Sequence, residues 1–104
     1  MAVAYVQEFA IVGGDTSTTN YDAVVAALDL QEAPDGLIVH SAGFDHDKGV
    51  FRIFDVWESR EAGTRWTEAT LNPVLERVMA GAADPSSFTP PTADYWYDLH
   101  DAMS

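Results

Sequence analysis

The sequence predicts an α+β domain of element order β-α-β-β-α-β: one four-stranded antiparallel sheet with two helices on one face. Three observations predict it. Segments 3–12, 37–44, 50–57 and 94–100 are rich in β-branched and aromatic residues. Two intervening stretches repeat apolar residues at helical spacing. The two middle strands are separated only by the polar run Asp45-His46-Asp47-Lys48-Gly49, which reads as the loop of a hairpin. This is the split βαβ, or ferredoxin-like, arrangement. At 104 residues the chain is one domain, residues 1–104.

The first strand alternates, with Tyr5, Gln7, Phe9 and Ile11 on one face and Val6, Glu8 and Val12 with two alanines on the other. Gly13-Gly14-Asp15 ends it as a turn; neither a dinucleotide-binding glycine pattern nor a phosphate-loop lysine follows. Thr18-Thr19-Asn20 supplies N-caps for a helix whose Tyr21, Val24, Val25 and Leu28 recur at i, i+3, i+4 and i+7, a stripe with one buried side. Pro34-Asp35-Gly36 is expected to stop it. The second strand places Ile38, His40 and Ala42 on one face, and the third places Phe51, Ile53, Asp55 and Trp57 together. Ser59 reads as the N-cap of the second helix, with acids near its positive end. That helix carries Ala62, Trp66, Ala69 and Thr70 on one side, is expected to kink or break at Pro73, and continues through Val74, Leu75, Val78 and Met79. A Pro- and Ser-rich connection leads to the last strand, where Tyr95-Trp96-Tyr97 divides its rings between the two sheet faces.

With both helices on one face, the other face is left bare, and pairing two such sheets in a homodimer would cover its apolar residues. The chain carries 17 acidic against 5 basic side chains, a net charge of −12. Such a surface repels phosphate backbones and anionic lipid heads, so neither nucleic acid nor a membrane is an expected partner. The acids are dispersed between apolar residues and read as a solvated face. No cysteine is present, which excludes disulfides, thiolate metal sites and a cysteine nucleophile. No apolar run approaches the roughly 20 residues that span a bilayer. The N-terminus lacks the basic start of a signal peptide, and a cytoplasmic location is the expectation.

The runs Asp35-Gly36-Leu37-Ile38-Val39-His40 and Phe51-Arg52-Ile53-Phe54-Asp55-Val56-Trp57-Glu58-Ser59 resemble the dimeric α/β-barrel superfamily, particularly antibiotic-biosynthesis-monooxygenase-like proteins. The Asp-Val-Trp-Glu-Ser junction is the most specific part. The resemblance covers nearly the whole chain in element order and about thirty residues in motif. It implies a homodimer and, in each subunit, a ligand cavity between sheet and helices. The superfamily's activities include cofactor-free oxygenation of polycyclic phenols, cyclisation, lactone isomerisation, dehalogenation and haem chemistry, so the fold leaves function open. In cofactor-free oxygenating members a tryptophan at the strand end, which Trp57 resembles, is paired with an asparagine one step of alternation earlier. This sequence departs from that pattern, with Ile53 or Asp55 there.

Asp55 is the first catalytic candidate, an acid among three apolar side chains on one strand face, where desolvation raises a carboxyl pKa toward that of a general base. The alternative is an Asp55 that binds an arginine or caps a backbone donor. His40, in mid-strand, is the second: a proton shuttle if it faces the cavity, or else a hydrogen-bonded core or interface histidine. Asp45-His46-Asp47 resembles a metal-ligand run, but neighbouring loop residues converge on one ion only with a distant third ligand, and no metal is expected. His100 reads as a surface residue. Trp57 and Trp66 are expected to face one another across the cavity and, with Tyr5 and Phe51, to form walls for a flat apolar ligand. The expected function is that of an enzyme acting without a cofactor on a flat aromatic or polyketide-like molecule, by monooxygenation or cyclisation. Asp55 or His40 would remove a phenolic proton. Alternatives are a non-catalytic binding or assembly module and, third, haem binding through His40, His46 or His100.

Overall fold

The structure, a computed structural model, describes residues 2–101. Strands β1 (Val3–Ala10), β2 (Leu37–Asp45), β3 (Val50–Trp57) and β4 (Ala93–Asp98) form a single antiparallel sheet in the order β2-β3-β1-β4. Helix α1 (Thr19–Leu28) connects β1 to β2, and a helical run of α2 (Arg60–Trp66), one π-turn (Thr67–Leu71) and α3 (Asn72–Gly81) connects β3 to β4. The predicted order holds throughout. No helix among the described residues is long and apolar enough to cross a membrane.

The β2–β3 hairpin closes as expected, with Asp45 opposite Val50 and Gly49 in the left-handed region at φ 66°. Near its open end the register slips between Leu37 and Val39. This bulge sets Leu37 and His40, three residues apart, toward the helices, and removes Ile38 from the face it was expected to share with His40.

The first helix ends earlier than expected. Asp29 adopts a left-handed conformation at φ 47°, and its backbone N–H bonds to the Val25 carbonyl. The helix therefore stops at Leu28, before Pro34, and residues 30–36 form a loop. No residue of α1 is fully buried, so the expected buried stripe is only half covered; Val25 is 49% exposed. The helix packs chiefly against α3 and stands off the sheet.

Ser59 caps α2 as expected, its hydroxyl accepting from the Ala62 N–H at 3.1 Å. The strain at Pro73, which lacks a backbone donor, is met by the π-turn just before it and not by a break. The wider turn inserts an extra residue into the helical phase. Thr70 and Leu71 are half-buried, while Ala69, expected on the buried side, is exposed.

Gly63 is the buried residue of α2. A Cβ there would lie 2.7 Å from the Trp96 ring and 3.1 Å from Trp57. The missing side chain lets α2 settle on these two indoles and fixes where β3 ends beneath it.

The buried apolar set is small: Val3, Ala4, Val6, Val56, Trp57 and Val74. On the face away from the helices, cross-strand neighbours bring Ala4, Val6, Phe54, Val56, Tyr95 and Tyr97 together. Tyr95 and Tyr97 are each nearly half exposed there, as expected for a bare face. Beside them Arg52 binds the carboxylates of both Glu8 and Asp45, one cation shared between two acids. Trp96 points the opposite way and stacks on Tyr5, with ring centroids 4.3 Å apart.

Candidate active site

Because α1 stands off the sheet, a cavity of about 1300 Å³ lies between them. Its floor is β3: Phe51, Ile53, Asp55 and Trp57 all reach it, as the alternation predicts. The connection around Phe88 to Pro91 lines part of its wall. That connection is tied to α1 by the Asn20 amide, which donates to the Ser87 carbonyl and hydroxyl.

Two candidates that alternation had placed on separate strands meet here. His40 on β2 lies directly opposite Asp55 on β3. The His40 Nδ1 lies 2.5 Å from Asp55 Oδ1, and the Tyr21 hydroxyl of α1 lies 2.8 Å from His40 Nε2. The tautomer follows from the partners. A carboxylate only accepts, so Nδ1 carries the proton and donates it to Asp55. In the neutral ring Nε2 is then a lone pair, and the Tyr21 O–H donates to it. The Tyr21 and His40 rings lie within 1° of parallel, with centroids 6.4 Å apart.

Burial differs along this chain of groups. The Asp55 side chain is 14% exposed and that of His40 is 43% exposed. The carboxylate is thus the fixed inner partner, and the imidazole is the group a cavity ligand can reach. The hydrogen bond to Asp55 raises the His40 pKa above its ordinary 6.5, against the opposing pull of desolvation. The Tyr21 phenol is also raised, first by desolvation and then by the charges of Asp55 and Asp22, so it stays neutral around pH 7. Phe51 braces this chain, its ring meeting Tyr21 edge-on at 5.4 Å and Phe44 at 5.0 Å.

The other expected wall residues are placed differently. Trp57 and Trp66 do not face one another across open space. Their centroids are 5.8 Å apart and the rings touch, forming one continuous aromatic wall. Trp57 is 2% exposed and backs Trp66. Tyr5 lies beyond the lining. It stacks on Trp96 and donates to Asp94 at 2.7 Å, with its phenol pKa pushed up by burial first and by that carboxylate second. His46 stacks on Phe44, and Asp45 accepts from the Lys48 N–H and from Arg52. Among the described residues no group of three or more His, Asp or Glu is placed to hold a metal ion. His100 is exposed.

Tyr21 is the site residue that sequence reasoning missed. It reads simply as the first member of the α1 stripe, and nothing local marks its hydroxyl as a partner for His40.

No protein-family model and no curated protein matches the chain. Solved structures do. The chain superposes on Rv0793 from Mycobacterium tuberculosis with a TM-score of 0.68 at 19% identity, covering 100% of both chains. SnoaB, a cofactor-independent oxygenase from Streptomyces nogalater, gives 0.61 at 15% identity over 98% of this chain and 96% of that one. A protein of Chloroflexus aurantiacus described as a candidate antibiotic biosynthesis monooxygenase gives 0.59 at 16% identity, covering 100% and 98%. At these identities the likeness is one of fold: the chain has the architecture of antibiotic-biosynthesis-monooxygenase-like proteins.

Proposed function

We propose that the protein is a cofactor-independent enzyme that deprotonates a flat polycyclic phenol in the cavity, for monooxygenation or cyclisation. The observation that carries this reading is the Asp55–His40–Tyr21 chain on the wall of an aromatic-lined cavity. Asp55 holds the imidazole with Nε2 aimed at the cavity and stabilises the imidazolium formed when His40 takes a proton, a general-base arrangement with an oriented base. A substrate hydroxyl or acidic C–H takes the place of the Tyr21 hydroxyl at Nε2. Trp66, backed by Trp57, and Phe51 hold the ring system flat by stacking. The fold shared with a cofactor-independent oxygenase supports the same reading.

Removal of the proton leaves a carbanion stabilised over the aromatic rings. In the oxygenation branch it adds dioxygen to give a peroxide anion, which takes back the proton from His40. Loss of water then leaves a carbonyl, so a CH₂ and O₂ become C=O and H₂O. In the cyclisation branch the same carbanion attacks an internal carbonyl, and the alkoxide takes the proton.

Asp55→Asn tests the assignment. The amide keeps the size of the side chain but removes the charge and allows the wrong imidazole tautomer. Turnover is expected to fall about a hundredfold or more with ligand binding retained. Unchanged turnover contradicts the assignment. Haem binding through His40 would require Nε2 to release Tyr21, because Nδ1 is already held by Asp55.

The active unit in this proposal is a cytoplasmic homodimer joined through the open sheet face. The half-exposed Tyr95 and Tyr97 and the partly exposed Phe54 on that face suit an isologous interface. Sedimentation equilibrium is expected to give twice the chain mass at micromolar concentration; the mass of one chain contradicts it.

A further inference from the structure

The chain has five lysines and arginines, and none lines the cavity. Lys48 is in the hairpin turn. Arg52 lies on the far side of the sheet, locked between Glu8 and Asp45. Arg60 sits over the Trp96 ring, 5.4 Å from its centroid. Arg65 pairs with Glu61 at the surface, and Arg77 lies in a separate shallow groove along α3. Inside the cavity the group able to carry positive charge is His40, and Asp55 already neutralises it.

The rim has the opposite sign. Asp15, from the loop before α1, and Asp29 and Glu32, from the loop after it, contribute to the lining and are exposed. An entering ligand therefore meets carboxylates at the mouth, an aromatic wall and a spoken-for imidazole inside. A ligand carboxylate would have to shed water with no cation to receive it, in a field that repels it. An uncharged polycyclic phenol meets neither obstacle.

We infer that the cavity selects uncharged polycyclic phenols against their carboxylated counterparts, through the acidic rim and the absence of any lysine or arginine from the lining. This deepens the proposed function, resting on it for the phenol as ligand. Its consequence for a reaction sequence is chemical. Where a precursor carries a free acid, a decarboxylation, esterification or amidation must precede the step performed here.

The test reads binding alone. A dihydroxyanthraquinone carboxylic acid and its methyl ester, already oxidised and so unable to turn over, are titrated into the protein while tryptophan fluorescence is followed. The ester is expected to bind at least about tenfold more tightly at about 20 mM salt, with the gap narrowing at about 500 mM as the rim is screened. Glu32→Lys is expected to narrow the gap at low salt by tightening the acid; a gap that stays the same overturns the role of the rim. Equal affinities, or a tighter acid, overturn the selectivity and leave the proposed reaction standing. Failure of both ligands to bind overturns the selectivity together with the reading of the cavity as a polycyclic-phenol site.

Discussion

His40→Gln is expected to lower turnover by about two to four orders of magnitude while leaving the melting temperature close to that of the unsubstituted protein, because it removes the proton acceptor from a partly exposed position. The pH dependence carries the same information. The base works as the neutral ring, and its pKa is raised by Asp55. Activity should therefore rise with pH along a limb centred above 6.5, and in Asp55→Asn that limb should move to lower pH. Stability has the opposite sign. The contribution of the His40–Asp55 pair is fully present below the unfolded value of 6.5 and is lost as pH rises through the raised folded value. A wild-type acidic limb well below 6.5 would contradict the role given to Asp55.

The second large effect is on stability. Trp57→Ala is expected to destabilise the fold by about 3–5 kcal/mol, since the indole is almost fully buried and supports Trp66, Gly63 and the end of β3. In a domain of this size that lowers the melting temperature by about 15 °C or more, from a total stability of order 5–15 kcal/mol. The core is small because the space between α1 and the sheet is cavity, so few other side chains share the load. A loss of less than about 4 °C would show that Trp57 is not the keystone of this wall.

Much of the fold was legible in the chain. Period-two alternation identified the cavity face of β3 residue by residue, and Ser59 marked the start of α2. The His40–Asp55 pair was legible too. Stepping outward from the hairpin loop in equal increments, from Asp45 opposite Val50, sets His40 opposite Asp55. Taken strand by strand, the two residues are rival bases; paired across the hairpin, they are one base and its partner. What stayed hidden depended on tertiary placement or irregular backbone. The Tyr21 hydroxyl finds His40 only because α1 stands off the sheet at one particular distance. The bulge at Ile38, the π-turn that exposes Ala69 and the left-handed Asp29 each break a regular period, and a periodic reading carries straight past them. Gly63 gave no sign either, since its role is to be absent where two indoles converge.

In the proposed reaction Asp55-oriented His40 removes a proton from a phenolic ligand before any other step. Anaerobic hydrogen–deuterium exchange isolates that event, because without dioxygen the carbanion can only be reprotonated. A hydroxyanthrone incubated with the protein in D₂O without oxygen is followed by NMR at its acidic CH₂. Protein-catalysed exchange is expected, lost in His40→Gln and strongly slowed in Asp55→Asn. Exchange at the solvent rate while the ligand is bound, or exchange undiminished in His40→Gln, would contradict it.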